Sequence, residues 1–206
     1  MEKDKEKAIL QAAEAEFMQK GFGGAKTTSI AAKAGVTHAM LHYYFRTKDN
    51  LFSKVFESKF TILGTNFVTA FSNHSLCLLK RIEVGIRLHF DFLRDNPDLP
   101  RFVINELISR PERHDLMKER LQSMLGPIRY SVEQDLKNAI AKGEIYSISL
   151  TNLLIDIISL NAFVFIALPV LEPIAMQEFE DMDTFLLSRK EENVCILMNR
   201  LTPKTK

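Results

Sequence analysis

A stripe of large apolar residues on one helical face constrains the fold of this chain more than any other feature. Its steps are four, four, three, four and four residues, which follow the 3.6-residue turn of an α-helix. The stripe is formed by Phe52, Phe56, Phe60, Leu63, Phe67 and Phe71. A continuous aromatic face must be buried against other elements, so the sequence predicts a long core helix that begins within "RTKDN", residues 46–50.

Helical periodicity recurs along nearly the whole chain, and no alternating strand pattern extends beyond about four residues. We therefore predict an all-α fold of about nine helices, with three short helices at the front and longer ones behind. The first is expected to end before Gly21, and a break or kink is expected at Gly126-Pro127, where proline removes a helical donor. A loop is predicted at Pro169–Pro173. Further helices are expected near residues 27–34, 37–44, 76–95, 99–109, 150–168 and 183–201.

The charge distribution distinguishes the two ends of the chain. Residues 1–48 hold eight Lys/Arg and five Asp/Glu, a net charge of +3, whereas the remaining residues hold nineteen and twenty-one, a net charge of −2. The content of 46% hydrophobic and 26% charged residues argues against disorder. A mildly basic N-terminal segment on a mildly acidic body is consistent with a polyanionic partner at that end.

The cysteines and the N-terminus indicate a cytoplasmic protein. Cys77 and Cys195 lie far apart and belong to no spaced motif, so we interpret them as free thiols in a reducing compartment. The N-terminal "MEKDKEKAILQAAEAEF" is charged and amphipathic without an apolar core, so it is not expected to be a signal peptide.

Residues 150–168, "LTNLLIDIISLNAFVFIAL", approach the length of a membrane span and carry one charge, Asp156. Basic flanks are missing, and several polar side chains interrupt the apolar run. A buried interface helix is therefore preferred over a membrane span. The interrupting residues are Thr151, Asn152, Ser159 and Asn161.

Residues 27–44 have the sequence form of a helix-turn-helix. Two short helices are joined at Ala34-Gly35-Val36, where glycine suits a left-handed turn. The small Ala31 allows the two helices to approach. The second helix begins near Thr37, and its N-terminus bears the positive end of the helix dipole.

The residue types around this motif are those that bind duplex DNA. Hydroxyls and cations bond phosphates, and side chains near the start of the second helix reach base edges. Ala39 and Met40 suit a thymine methyl group, and His38 suits a guanine N7. The predicted DNA-contacting residues are Lys26, Thr27, Thr28, Thr37, His38, Ala39, Met40, His42, Tyr43, Tyr44 and Lys48, with Arg46 as a further cation.

The stretch "TTSIAAKAGVTHAMLHYYFRTKDNLF" resembles the N-terminal DNA-binding segment of the TetR-type transcriptional repressors. The close match covers about residues 8–56. It departs from the family at His42, where tyrosine is usual, and at Ala39 and Met40, so no operator sequence transfers from a relative. The matching residues are Ile30, Ala31, Ala34, Gly35, Val36, Thr37, Leu41, Tyr44, Phe45, Lys48 and Leu51.

The resemblance implies a DNA-binding domain at residues 1–48 and a ligand-binding and dimerisation domain at residues 49–206. It implies a homodimer through about 150–168 and 183–201, and a small-molecule effector bound among the middle helices that releases the DNA. It also implies base contacts at positions 38–40. Phosphate contacts are implied for Thr27, Thr37, Tyr43, Tyr44 and Lys48.

A ligand cavity needs mostly apolar walls with a few polar groups, and large or polar residues on the body helices supply both. For each of them, a place in the core or on the surface is the simpler alternative. The pocket candidates are Phe67, Phe71, His89, Phe92, Asn105, Met117, Tyr130, Asn161 and Phe165.

Other chemistries have weaker support. His38 and His42 have metal-ligand spacing but lack an interposed Glu and a nearby Cys, so no metal site is predicted. "GFGGAK", residues 21–26, fails both nucleotide-binding glycine patterns and is interpreted as a connector. No catalytic constellation is present above chance, so neither an enzyme nor a cofactor is predicted.

Two alternative hypotheses stay open at this stage. The first is a DNA-binding regulator without a small-molecule effector, whose body would be packed solid. The second is a helical carrier or enzyme that has lost operator binding and would show no salt-sensitive affinity for duplex DNA.

Overall fold

A computed structural model describes residues 2–111 and 114–203, and within these residues the protein has nine helices and no strand. The predicted all-α class is therefore confirmed. Most predicted bounds agree with the observed ones to within a few residues. The helices are α1 Glu2–Gly24, α2 Thr27–Lys33, α3 His38–Phe45, α4 Lys48–Phe71, α5 Leu78–Arg94, α6 Leu99–Ser109, α7 His114–Ala141, α8 Leu150–Ala175 and α9 Met182–Leu201.

The chain divides into two compact units. The first comprises Met1–Ile62 and Arg101–Arg120, and the second comprises Leu63–Pro100 and Leu121–Lys206. Helices α4 and α7 each contribute residues to both units. The functional boundary predicted after residue 48 falls at the start of α4, whereas the first compact unit continues further along that helix.

The core of the first unit is built around aromatic rings. Phe17 of α1 and Phe52 of α4 lie edge to face with centroids 5.3 Å apart, and Phe102 of α6 lies 5.5 Å from Phe52. Edge-to-face pairs stabilise a core beyond the apolar area that they bury. The helices α1, α2 and α3 are held on this core by buried Ile9, Ala13, Ile30, Ala31, Leu41 and Phe45.

The second unit has an aliphatic core to which α5, α8 and α9 contribute and in which each of these helices contacts the other two. The far end of the α4 stripe, Phe67 and Phe71, is buried in this core. The two ends of the stripe therefore serve different cores, which the continuous sequence pattern does not reveal. The core also contains Leu78, Ile82, Ile86, Val132, Leu136, Leu153, Ile157, Val194, Leu197 and Leu201.

The loop predicted at Pro169–Pro173 is wrong, because α8 continues through both prolines to Ala175. Each proline lacks the N–H that would bond the carbonyl four residues earlier. Both prolines are exposed, as is Val170. The carbonyl freed by Pro173 belongs to exposed Pro169, so water can satisfy it, whereas the carbonyl freed by Pro169 belongs to Phe165, which is 4% exposed. The helix continues through both positions.

Helix α7 likewise continues through Pro127 from His114 to Ala141. At Gly126-Pro127 the helix therefore lacks one backbone N–H donor, that of Pro127, but it does not end there. Ser123, whose carbonyl would have accepted that bond, is exposed to solvent, as are Gly126 and Pro127. Exposure reduces the cost of the lost hydrogen bond.

By length and composition, α8 is the one helix of the described chain that is able to cross a membrane. Its most apolar window is 28% buried within the protein. Core helices of soluble proteins meet the same criterion, so this property alone assigns no membrane location.

Candidate nucleic-acid interface

The turn between α2 and α3 is closed by backbone hydrogen bonds that require Gly35. The N–H groups of Ala34 and Gly35 donate to the carbonyls of Ile30 and Ala32 at 2.9 and 3.2 Å. Gly35 has a φ of 67°, a left-handed conformation that glycine adopts without a Cβ penalty. This turn sets the direction in which α3 leaves α2.

Thr37 begins α3 as its N-cap. Its hydroxyl oxygen accepts the backbone N–H of Met40 at 3.2 Å, which satisfies one donor of the first turn. The hydroxyl proton is not consumed by that bond and can be donated to a phosphate oxygen. The structure thus gives Thr37 a capping role that is compatible with the predicted phosphate contact.

Helix α3 buries one face and presents the other to solvent. Leu41 and Phe45 are buried, whereas Tyr43 is 75% exposed. Met40 and Tyr44 are half-buried, and the ring centroids of Tyr43 and Tyr44 lie 5.5 Å apart. The other predicted contact residues exposed here are Lys26, Thr28, Thr37, His38, Ala39 and His42.

Two of the predicted contact residues are hydrogen-bonded to each other. The Oγ1 atom of Thr27, at the start of α2, lies 3.0 Å from Nε2 of His38. The His38 ring also meets the His42 ring edge to face, with centroids 4.9 Å apart. The structure therefore joins a predicted phosphate-contacting hydroxyl to a predicted base-reading ring and restricts the orientation of that ring.

Lys48, the predicted phosphate-contacting cation, begins α4 after a residue with positive φ, Arg46 at 60°. Its Nζ atom lies 4.5 Å from the centroid of the Phe22 ring, a distance at which a cation is attracted by an aromatic face. Phe22 lies in "GFGGAK", for which the sequence predicts only a connector, so its contact with Lys48 was not predicted.

A buried carboxylate, also missed from sequence, joins α1 to α2. Glu16 is fully buried, and its oxygens lie 2.7 Å from Nζ of Lys20 and 2.6 Å from Nζ of Lys33. The Ser29 hydroxyl donates to it at 3.1 Å. The hydrogen bonds from Lys20 and then Lys33 lower the pKa of Glu16 to about 2. This group fixes α2, whose first turn carries Thr27 and Thr28.

Replacing Glu16 with alanine is expected to lower the free energy of unfolding by about 2 kcal/mol, since hydrogen bonds to charged groups contribute roughly 1.5–3 kcal/mol. Lys20 and Lys33 are 43% and 45% exposed, so both can turn towards water when their partner is removed. Urea unfolding would measure the change.

The control for that variant is Glu14→Ala, because Glu14 lies on the same helix and pairs with Lys59 while 38% exposed. Lys59 is 12% exposed, but Glu14 itself reaches water and makes one ion pair where Glu16 makes two, so the control should lose less, about 1 kcal/mol. Equal losses of unfolding free energy in the two variants would contradict the assignment of Glu16 as the group that fixes α2.

The candidate pocket residues include a buried polar network in the second unit. Nδ2 of Asn161 donates to the Ile86 carbonyl at 2.9 Å and lies 3.1 Å from Nδ1 of His89. Its Oδ1 accepts from Nδ2 of Asn193 at 2.9 Å. Among the described residues, Oδ1 of Asn193 is buried without a hydrogen-bond partner. Burial lowers the pKa of His89 to about 4.

The structure brings together only part of the remaining pocket list. The Phe67 ring lies 6.2 Å from Phe71 and 5.7 Å from His89, so these three candidates are neighbours. Asn105 and Tyr130 are exposed, the latter by 75%. The others are buried: Phe92 and Phe165 lie in the second unit and Met117 in the first. Across residues 2–111 and 114–203, no group of three metal-ligating side chains occurs.

Residues 9–55, which include this helix-turn-helix, match the family model of bacterial regulatory proteins of the tetR family. YdgC, an uncharacterized HTH-type transcriptional regulator of Bacillus subtilis strain 168, is 29% identical over 118 residues, covering 55% of this chain and 58% of YdgC. The HTH-type transcriptional regulator RutR of Escherichia coli K12 is 35% identical over 105 residues, covering 51% of this chain and 49% of RutR. The chain thus matches about half to three fifths of these relatives' length.

Solved structures with the same fold extend the similarity to the whole chain. A candidate fatty acid metabolism regulator of Clostridium perfringens has a TM-score of 0.70 and 22% identity, covering 96% of this chain and 100% of that one. The hemolysin II transcriptional regulator HlyIIR has a TM-score of 0.65 and 19% identity, covering 99% of this chain and 100% of that one. At these identities the similarity establishes the fold.

The tight turn, the capped α3 and its solvent-facing side define a helix-turn-helix protein. Within it, residues 9–55 are similar to the DNA-binding segment of the tetR family of bacterial regulatory proteins.

Proposed function

We propose that this protein is a cytoplasmic, dimeric transcriptional repressor that binds an inverted-repeat operator and leaves it when a small, mostly apolar effector binds. The observation that carries the proposal is the solvent-facing side of α3, where His38 is held by Thr27 at 3.0 Å beside exposed Ala39 and His42. Side chains at the start of such a helix read bases in the major groove.

The proposed phosphate contacts surround the same face. Lys26, Thr28 and Thr37 are exposed, and Tyr43 directs most of its surface to solvent. Hydroxyls and cations at the rim position a reading helix, while only the central side chains discriminate between sequences. This division assigns Lys48 to positioning and His38 to reading.

The proposed homodimer uses α8 and α9. An inverted repeat presents two half-sites about 34–36 Å apart or a multiple of that spacing. Two copies of the helix-turn-helix segment, called reading heads below, must therefore be joined. The support is a set of large apolar side chains that α8 leaves exposed although the core of the second unit is already formed. These are Ile155, Ile158, Phe163, Val170 and Ile174.

The proposed effector site lies near the buried network of the second unit. Phe67 and Phe71 supply apolar walls, and Oδ1 of Asn193 is a buried acceptor with no partner among the described residues. A small ligand with an apolar body and one donor group suits these surroundings. An effector of this kind would act by favouring a conformation in which the two heads no longer fit one operator.

A regulator without a small-molecule effector is the second candidate. It is favoured by the position of Phe67 in the aliphatic core, with its ring centroid 6.2 Å from that of Phe71 and 5.7 Å from that of His89, because rings packed in a core leave less room for a ligand. Thermal unfolding with a panel of small apolar compounds separates the two candidates. A compound that raises the melting temperature and also reduces operator affinity supports the effector.

The first test of the proposed function is selection of the purified protein against a random duplex library, with binding repeated across salt concentrations. An enriched inverted repeat with steep salt dependence is the expected result, since each neutralised phosphate releases counterions. Weak binding at every salt concentration, without enrichment, would instead support a carrier or enzyme that does not bind an operator.

Replacing Lys48 with alanine is expected to weaken binding to specific and random duplexes by the same factor. The slope of log affinity against log salt should fall by about one, because one phosphate contact is lost. Fluorescence anisotropy titrations at several salt concentrations would measure both quantities.

The matched comparison is His38→Ala, which should change the preference between operator variants and leave binding to random DNA nearly constant. A good base contact contributes about 1–3 kcal/mol of discrimination. If both variants lose affinity equally on specific and random DNA, the division into positioning and reading residues is wrong.

A further inference from the structure

The ring of Phe22 is placed by a break in α1. Gly21 has a φ of 65°, which interrupts the helix and turns the chain back towards the core. The Phe22 ring is nearly parallel to the Phe17 ring, with centroids 6.0 Å apart. It lies edge to face with the Phe52 ring, with centroids 5.3 Å apart. A half-buried ring at this place has one side in the core and the rest of its surface available to polar neighbours.

Charged groups from the start of α4 and from the end of α6 and the residue after it lie close to Phe22. Nζ of Lys48, at the start of α4, lies 4.5 Å from the ring centroid, and Cζ of Arg110, just after α6, lies 5.3 Å from it. The buried carboxylate of Glu106 accepts the backbone N–H of Phe22 at 3.3 Å, across 84 residues of sequence. All four residues belong to the first compact unit.

We propose that Phe22 is a positioning residue for DNA binding, which holds the Lys48 ammonium for its phosphate and is itself held by Glu106 and Arg110. This inference rests on the proposed function, because it assumes that Lys48 contacts a phosphate. It adds a role for the end of α6 in the affinity of the reading head for DNA.

The physical reason is preorganisation of a flexible cation. A lysine side chain loses rotamer freedom when it binds, and a contact that already restricts it reduces that loss. The aromatic face attracts the ammonium but carries no net charge, so this contact does not neutralise the lysine. Glu106 fixes the backbone of Phe22, and the guanidinium of Arg110 lies over the same ring.

An alternative role for Arg110 leads to a different measurement. Both cations lie over one ring, so they are within about 10 Å of each other, comparable to the screening length at physiological salt. A direct phosphate contact by Arg110 would therefore also lower DNA affinity when removed. That contact would persist without Lys48, whereas positioning through Phe22 would not.

The test is a double-mutant cycle on duplex DNA with Phe22→Leu, Arg110→Gln and Lys48→Ala in the full chain. Phe22→Leu and Arg110→Gln are each expected to reduce affinity for specific and random duplexes equally, by about two- to fivefold, the size of an exposed cation–π contact. Both effects should disappear in the Lys48→Ala background. Phe22→Tyr, which keeps the ring, should bind like the parent protein.

Three outcomes would overturn the inference. They are unchanged affinity in Phe22→Leu and Arg110→Gln, effects of full size in the Lys48→Ala background, or a loss confined to the specific duplex. If Phe22→Leu lowers the melting temperature, the DNA affinity of Arg110→Gln tests the inference instead, because the Arg110 side chain lies outside the core. A Lys48→Ala variant that binds DNA like the parent would overturn the proposed interface, whereas the first three outcomes would leave that interface intact.

Discussion

Replacing Phe163 with glutamate is expected to make the protein monomeric and to reduce its affinity for an inverted-repeat duplex by at least about a hundredfold. Linking two binding modules raises affinity by roughly 10²–10⁴ without any new contact. Phe163 is 64% exposed on α8, on the helix proposed to join the two reading heads. A charge there would be buried without a partner if the dimer formed.

The exposed apolar surface of α8 is the reason for placing the proposed dimer interface on this helix. Exposed apolar residues scattered singly need no explanation, but a contiguous set on one helix indicates an interaction site. Helix α8 exposes such residues along most of its length, including the two turns beyond Pro169. Helix α9, which contacts α8, adds Leu187 and Ile196, exposed by 46% and 38%.

Light scattering coupled to size-exclusion chromatography would measure the oligomeric state. Fluorescence anisotropy titrations with a duplex that carries the full inverted repeat and with one that carries a single half-site would measure the affinity. The full repeat should lose affinity far more than the half-site. Tyr130→Glu is the matched control, because it adds the same charge to a side chain that is 75% exposed on α7. A Phe163→Glu protein that stays dimeric would exclude α8 as the interface.

The features that could be predicted from sequence are those determined locally. Helical periodicity depends on neighbours within four residues, so the all-α class and most helix bounds follow from the pattern. Gly35 adopts the left-handed turn conformation expected of it, and Thr37 begins α3. The candidate DNA-contacting residues lie on one short stretch, which is why a sequence pattern can describe them together.

The features that were missed depend on partners that are distant in sequence or on solvent. Nothing near Phe22 in sequence indicates that Lys48 and Arg110 approach its ring. Whether the prolines at 169 and 173 end a helix depends on the surroundings of the carbonyls at 165 and 169, one on a buried residue and one on an exposed residue, which the local sequence does not reveal. Tyr130 is a large residue on a body helix, yet its position on the helix leaves it in solvent.

Acid is expected to destabilise the second unit through His89. The free energy of unfolding should fall by about 3 kcal/mol as the pH is lowered from 6.5 to 4, because the pKa of His89 in the folded protein is about 4, against an ordinary value of 6.5. Below pH 6.5 the unfolded chain binds a proton that the folded protein does not. Stability from this group is therefore complete above pH 6.5 and is lost progressively as the pH falls towards 4.

Burial lowers the pKa of His89, and the hydrogen bonds of the network give a further reason for the ring to stay neutral. Asn161 uses its two amide hydrogens for the Ile86 carbonyl and for Nδ1 of His89, and its oxygen accepts from Asn193. This orientation requires Nδ1 of His89 to be an acceptor, so the proton of the neutral ring is on Nε2. Protonating Nδ1 would set two donors against each other in a buried site.

Replacing His89 with glutamine should remove most of the pH dependence between 6.5 and 4 in urea unfolding, although it also lowers stability at neutral pH through imperfect packing. Glu16 contributes in a separate window, since its pKa is lowered from 4.5 to about 2, so its stabilisation is lost only as the pH falls below 4.5. Glu16→Ala should therefore keep the parent's slope above pH 4.5. If His89→Gln keeps that slope too, another titrating group is responsible and the buried network does not hold a neutral histidine.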